Sequence, residues 1–451
     1  MHYHLCPFVA DTRMTESIAE LYGAHHRTLR TRHSHALIAS GYDWLVIYSG
    51  NAHPQFLDDS LCPFRANPHF KTWVPLPEHQ GGAIVVGRDA EPRLVYLQPE
   101  DYWHSPPADP AGYWTEFFDL RTARDDSQVI SALTGLTGKV AVIADDTAPA
   151  EIRSLGTLNP AKLTDLLHFD RSTKTEYEVE CMRRANAIAV RGHRAAEAAF
   201  RDGASEFEIH MAYCSACGQS PNELPYDNII ALNGHGAVLH YHEYEHDRQP
   251  PRAFLIDAGA SYNGYAADIT RTYSAANDDF AALIESVDRA QQEICQNAQP
   301  GVDYVDLHRD ANTRLAQVLV DHKVLECNAE TAIETGLMAT FFPHGLGHYI
   351  GAQVHDVGGH QATPAGDQRP PPPEHPFLRL TRTLQPGTVC TIEPGLYFIG
   401  MLLDELRNTD AGKTVAWKRI DEFVPFGGVR VEDDIYVTAS GNENLTRAAF
   451  K

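Results

Sequence analysis

The sequence predicts an α+β protein of two domains, an α/β amino-terminal domain over residues 1–158 and a larger α+β domain over residues 159–451. Three observations lead there. A chain of 451 residues with 43% apolar content buries a large core and is long for one domain. Its first third mixes one helical stretch with short β-rich runs. From residue 172 onward the pattern changes to long amphipathic helices followed by strands, and the boundary is placed near Asn159-Pro160.

The elements follow in chain order. A helical start over 15–41 precedes β-rich runs at 44–48, 82–86, 92–97 and 139–143. The segment 55–73, QFLDDSLCPFRANPHFKTW, mixes aromatics, turn residues and the acids Asp58 and Asp59, and reads as a long ordered loop. A long helix occupies most of 172–204 and is closed by Gly203, and a second spans 206–217. Strands are expected at 228–232 and 237–241, helices at 279–298 and 305–323, and β-runs at 388–393 and 428–437. The tract RPPPP over 369–373 cannot be helix or inner strand and is expected as an exposed loop.

Composition narrows the function. A net charge of -23, from 37 basic and 60 acidic residues, argues against a nucleic-acid or anionic-membrane partner. With no cationic start and no apolar run of membrane-spanning length, the expectation is a cytoplasmic protein. The eight cysteines stand singly apart from Cys214 and Cys217, so a disulfide framework is not expected, and that C-x-x-C sits in a helix-like run without a redox setting.

The stretch 255–273, LIDAGASYNGYAADITRTY, carries the chemistry. Asn263-Gly264 between two β-type runs is the strongest short hairpin signal. A two-residue turn there makes 262 face 265, 259 face 268 and 257 face 270, which sets Asp257 and Asp268 diagonally on one face, roughly 7–8 Å apart at Cα. Both carboxylates then reach a pair of metal ions about 3.5–4 Å apart. Ile256, Ala258 and Ile269 face the other way and can pack. A hairpin with two solvated acids is the plainer alternative. Downstream, His344 lies in PHGLGH, Glu393 ends a β-run, and Glu432 lies in another, two residues after Arg430 and so on the same face of that run. Acids inside apolar strands are unusual unless paired or metal-bound. Four carboxylates and one imidazole form an oxygen-rich set suited to two divalent ions, Mn foremost, with Co or Zn as alternatives.

In this order the residues resemble the pita-bread metallopeptidases, the creatinase/aminopeptidase-like family that includes methionine aminopeptidase, aminopeptidase P and prolidase. DAGA, NGYAADITRTY, GLGHYIGAQVHDVGG, LQPGTVCTIEPGLYFI and PFGGVRVEDD carry the resemblance, with FLDD and NPHFKTW in the amino-terminal part. It covers nearly the whole chain and is closest to the bacterial Xaa-Pro dipeptidase branch and the related organophosphorus acid anhydrolases. The poly-proline tract and the first fourteen residues match nothing in the family. The resemblance implies a pseudo-symmetric pita-bread catalytic domain and a metal-dependent hydrolysis of Xaa-Pro dipeptides, with organophosphorus triesters as a side activity. It implies Asp257, Asp268, His344, Glu393 and Glu432 as metal ligands, and Glu393 as the group that moves a proton to the leaving nitrogen. His240, His355, Arg430 and Tyr226 are implied on the substrate side. A homodimer is implied too, with Asp59 or its neighbour Asp58 capping the substrate amine.

Three other readings compete. His242-Glu243-Tyr244-Glu245-His246 satisfies H-E-x-x-H, but that zinc motif needs a helix, and this stretch runs into Pro250-Pro251. Aminopeptidase P, acting on longer peptides, is the alternative within the family. A non-catalytic peptide-binding protein would be expected to lack metal ligands, and the set here is complete.

Overall fold

The computed structural model describes residues 12–451; most of the unmatched stretch 1–14 lies outside the described residues. The chain forms two compact units, one built from the described residues up to Leu167 together with Thr175–Glu180, the other from His168–Lys174 and Cys181–Lys451.

The first unit opens with the helix Thr12–Ser40 and is built on a six-stranded sheet. Its strand order is Asp119–Ala123, Arg93–Leu97, Ala83–Gly87, Trp44–Tyr48, Val140–Ile143 and Thr157–Leu158. The central strands AIVVG and WLVIY are almost wholly apolar, as expected of strands covered on both faces. Trp44–Tyr48 pairs antiparallel with Ala83–Gly87 and parallel with Val140–Ile143. The segment 55–73 departs from the expected loop, because its last six residues form the helix Pro68–Trp73. The side chain of Asn67 accepts from the His69 N–H at 2.9 Å and proline opens the first turn, two start signals within the segment itself. Before that helix the loop is exposed, with Phe56 and Leu57 at 92% and 91% accessibility and Asp59 in the open beside them.

In the second unit the helix Glu206–Cys217 starts on a reciprocal cap between Ser205 and Glu208 and ends at Gly218 in the left-handed region. A three-stranded antiparallel sheet follows, with Ala253–Asp257 between Ile229–Leu232 and Thr270–Ser274. The expected strand over 237–241 does not form. Asn233–Ala237 is a 3-10 turn, Asn233 has a positive φ of 55°, and residues 238–251 carry neither helix nor strand. The helix needed by the H-E-x-x-H reading is therefore absent. Cys214 and Cys217 are free and buried in the helix Glu206–Cys217.

The helices Asp279–Asn297 and Tyr304–Asp321 pack into the large apolar core through Leu283, Val287, Leu315 and Leu319. A second sheet joins Val389–Ile392, Asp433–Val437 and Asn442–Asn444, and Gly395–Tyr397 pairs with Gly428–Arg430. The expected run over 428–437 is thus broken at Val431 and Glu432. Glu432 instead pairs with Thr270 of the first sheet, its N–H donating to the Thr270 carbonyl at 3.0 Å. Residues 369–373 carry neither helix nor strand. Among the described residues no helix is long and apolar enough to cross a membrane.

Candidate metal centre

The hairpin places the first two carboxylates. Tyr262 faces Tyr265 and Asp257 faces Thr270, the expected register, and Asn263 and Gly264 have φ of 52° and 84°, the two positive values of a type I′ turn. Ile256, Ala258 and Ile269 are fully buried. On the other face the Tyr226 hydroxyl lies 2.8 Å from Oδ1 of Asp257 and 2.5 Å from Oδ1 of Asp268. One hydroxyl proton cannot serve two ionised carboxylates.

The Thr270–Glu432 bridge brings in a third carboxylate, and Thr270 Oγ1 donates to Glu432 Oε2 at 2.6 Å. Because the strand breaks after Arg430, its guanidinium does not sit on Glu432 as the two-residue spacing suggested. Nη2 of Arg430 lies 2.6 Å from Oδ2 of Asp257, Nη1 donates to Tyr397 at 2.9 Å, and Nε donates to Thr270 Oγ1 at 3.1 Å. Thr270 therefore stands between the cation and Glu432.

The two histidines of PHGLGH differ from expectation. Residues 346–349 run beside Val389–Ile392, with Thr391 N–H donating to the His348 carbonyl at 2.9 Å and Glu393 N–H to the Leu346 carbonyl at 2.9 Å. His348 Nδ1 donates to the Tyr349 carbonyl at 2.9 Å, which directs its Nε2 to 3.5 Å from Asp268 and 3.7 Å from Glu393. Asp268, His348 and Glu432, all buried, are the described residues whose donor atoms lie within 4.8 Å of one another. His344, expected in the cluster, has Nδ1 on the Gly345 carbonyl at 2.8 Å and accepts from the Tyr397 hydroxyl through Nε2 at 2.8 Å, with Glu393 3.9 Å away. The imidazole inside the carboxylate cluster is His348. Gly347 was the available signal: its φ is +154°, and a Cβ there would lie 2.4 Å from the Thr391 carbonyl, so the chain approaches that strand too closely for a side chain just before His348.

Electrostatics follow from this crowding. Burial pushes Glu432 well above the ordinary carboxylate range, with Asp268 and Glu393 adding like charge. Burial pushes Glu393 up to about 7, although His348 and Arg430 oppose it. Asp257 is raised by burial against the pull of Arg430. Burial also acts on Asp268, but the hydrogen bond and charge of His348 hold it below its ordinary value. His348 is raised to about 9, its carboxylate partners outweighing burial, while burial and Arg430 lower His344 to about 3. Four carboxylates thus face one guanidinium and one imidazole, and this uncompensated negative charge, with the doubly shared Tyr226 proton, fits divalent cations.

His240 and His355 are exposed at the rim, each held below its ordinary pKa, first by burial of part of the ring and then by Arg430 for His240 and His348 for His355. Arg379, which sequence reasoning missed, is an exposed cation whose charge acts on both. Asp59 lies in the exposed loop of the first unit. Beside His344 a cavity of about 500 Å³ is lined by His308, Met338, Phe342, His375, Phe377 and Leu378.

The sequence pattern described as "Metallopeptidase family M24" matches residues 180–439, and that of "Xaa-Pro dipeptidase, N-terminal domain" matches residues 20–169. The Xaa-Pro dipeptidase of Stenotrophomonas maltophilia is 48% identical over 435 residues, 95% of this chain and 97% of that protein. The Xaa-Pro dipeptidase of Xanthomonas campestris pv. campestris is 49% identical over 436 residues, 96% of this chain and 98% of that protein. Among solved structures, zinc-substituted Escherichia coli aminopeptidase P in complex with product superposes with a TM-score of 0.70 at 22% identity, covering 96% of this chain and 95% of that one. The same enzyme with the inhibitor Pro-Leu gives a TM-score of 0.71 at 22% identity over the same shares. These two structures are similar in fold.

Proposed function

The chain belongs to metallopeptidase family M24, and from that premise we propose that Asp257, Asp268, His348, Glu393 and Glu432 hold the two divalent ions of an Xaa-Pro dipeptidase. The protein is a metal-dependent hydrolase of the pita-bread fold that acts on Xaa-Pro dipeptides. The observation that carries the reading is identity of 48% to an Xaa-Pro dipeptidase over 95% of the chain. The donor set favours Mn, because four carboxylates and one imidazole suit a hard to borderline ion.

When bound, a pair of such ions lowers the pKa of a shared water towards about 7 and polarises the scissile carbonyl. The rest falls to side chains. Glu393 takes a proton at its carboxylate and returns it to the leaving nitrogen of proline. That nitrogen carries no hydrogen of its own in the substrate, so proton delivery matters more than for an ordinary amide. His240 and His355, both neutral at pH 7, donate hydrogen bonds to the oxyanion that develops. His344 lines the cavity, and the Tyr397 hydroxyl links it to Arg430. Arg379 supplies positive charge for the free carboxylate of a dipeptide, the group that distinguishes such a substrate from a longer peptide.

Residues 1–158 and 159–451 are read as the amino-terminal and catalytic domains of a cytoplasmic homodimer. The exposed Phe56 and Leu57 beside Asp59 support covering of that loop by a partner subunit, with Asp59 capping the substrate amine. An Asp59→Asn variant with unchanged dipeptide KM would remove that role. Organophosphorus triesters are a side activity on the same reading, because a tetrahedral phosphorus centre resembles the amide transition state.

The deciding experiment is proline release from Leu-Pro and from a Leu-Pro-Xaa tripeptide by metal-stripped protein reloaded with Mn. Cleavage of the dipeptide alone is expected. Equal or better cleavage of the tripeptide would shift the assignment to aminopeptidase P, and silence on both would overturn it.

A further inference from the structure

Glu206 is 1% exposed, yet no lysine or arginine pairs with it among the recorded ion pairs of the described residues. Its carboxylate is satisfied by four donors instead. Oε1 accepts from the Leu232 N–H at 2.7 Å and from His235 Nδ1 at 2.7 Å. Oε2 accepts from the Tyr241 hydroxyl at 2.8 Å and from the Glu245 N–H at 3.0 Å. All four donors belong to residues 232–245, and they bracket His240. The rings of His235 and Tyr241 stack at 4.6 Å, so the two sides of the bracket also touch each other.

This segment has no sheet ladder of its own beyond Ala237. An irregular segment keeps one conformation only where something outside it takes up its polar groups. Here one buried side chain takes up four of them, from the first turn of a helix whose own start is fixed by the Ser205–Glu208 cap, while the Phe207 N–H donates to the Glu245 carbonyl and the Tyr244 hydroxyl to the Asn228 carbonyl. Removing any donor would leave a buried carboxylate oxygen short of a partner, so the four contacts hold together. His240, exposed in the middle of the bracketed stretch, is within electrostatic reach of Arg430, Arg379, His344 and His355.

We infer that Glu206 is a positioning residue for the reaction, its buried carboxylate clamping residues 232–245 so that His240 is presented to the substrate. The inference rests on His240 acting on the substrate side, as proposed above. Glu206 touches no ligand of the metal centre in the described contacts and acts only through the segment it holds.

The test uses the metal-loaded full-length protein, in the variants Glu206→Gln, Tyr241→Phe, His240→Ala and the double variant Glu206→Gln/His240→Ala. Glu206→Gln puts an amide donor among four donors, and kcat for an Xaa-Pro dipeptide is expected to fall roughly 10- to 100-fold, the scale of a misplaced catalytic group. Metal content should stay at the wild-type value. Tyr241→Phe removes one donor, keeps the carboxylate and should give a smaller loss in the same direction. In the His240→Ala background the Glu206→Gln change should cost no more than about twofold, the signature of two residues acting as a unit. Hydrogen exchange of amides 238–246 should quicken in Glu206→Gln without a matching change elsewhere. A full-sized loss that persists without His240, a loss of bound metal, or unchanged exchange over 238–246 would overturn the inference. If Glu206→Gln fails to fold, Tyr241→Phe decides by the same cycle. A wild-type protein inactive on dipeptides would overturn the reading of His240, and the exchange result would still decide whether Glu206 holds the segment.

Discussion

Nη2 of Arg430 lies 2.6 Å from Oδ2 of Asp257, and both side chains are largely withdrawn from water. The pair offsets one of four crowded negative charges without occupying the face that Tyr226 shares between Asp257 and Asp268. Replacing Arg430 with Met should strand the Asp257 carboxylate and the Tyr397 hydroxyl, at a cost of about 3–5 kcal/mol, the usual scale for breaking a buried ion pair. Urea denaturation of metal-free protein would measure this. Adding Mn should recover part of the loss, since a cation binding only the folded state stabilises by about 2.7 kcal/mol at one hundred times its Kd.

The two histidines of PHGLGH separate by metal content. His348→Ala should bind fewer than two ions per chain in elemental analysis after dialysis against limiting Mn. His344→Ala should retain both ions while dipeptide turnover falls roughly 100-fold, as for loss of a polar group beside the reacting centre. The opposite pattern would return His344 to the ligand set.

Glu393 carries the proton in the proposed reaction, so Glu393→Gln should abolish turnover even where the variant still takes up metal. Residual activity above about a tenth of wild type would rule out that role, because a positioned acid–base group contributes roughly 100- to 10,000-fold.

Acid should destabilise the first unit before ordinary carboxylate titration does. His26, His33 and His79 are each lowered to about 4, all chiefly by burial. Between pH 6.5 and 4 the unfolded chain binds protons that the folded unit refuses, so stability present above 6.5 is lost as the pH falls through that window and levels off below it. Each unit of pKa separation corresponds to about 1.4 kcal/mol per histidine. Trp73 donates its indole N–H to His33 Nε2 at 3.3 Å and packs edge-on to His26, so tryptophan fluorescence during urea titrations at pH 7 and pH 5 should follow the change. An unchanged midpoint would show that these rings are not buried in neutral form.

What could be read from the chain divides along a physical line. The hairpin register was legible because Asn-Gly and a period of two are local signals, and the long helices because their apolar stripes persist over many turns. Residues 237–241 have a strand's composition, AVLHY, but their conformation is governed by a glutamate some thirty residues earlier, which no local pattern reveals. The helix Pro68–Trp73 was announced by Asn67 and Pro68, yet it is too short for periodicity to display. In both His344 and His348 the next residue's carbonyl takes Nδ1, and the choice between them turned on what Nε2 then faces, Tyr397 in one case and Asp268 with Glu393 in the other, which four-residue spacing does not reveal. Arg430 was expected on Glu432 because two-residue spacing implies an unbroken strand, whereas the bridge to Thr270 breaks it.

That bridge also orders the making of the protein. A chain emerging from the ribosome exposes Asp257 and Asp268 long before Glu432, and Thr270 has no partner for its hydroxyl until the later strand arrives. The nascent chain therefore holds an incomplete set of ligands through most of its synthesis, and peptide-cleaving activity can begin only once this late segment has docked against the early one.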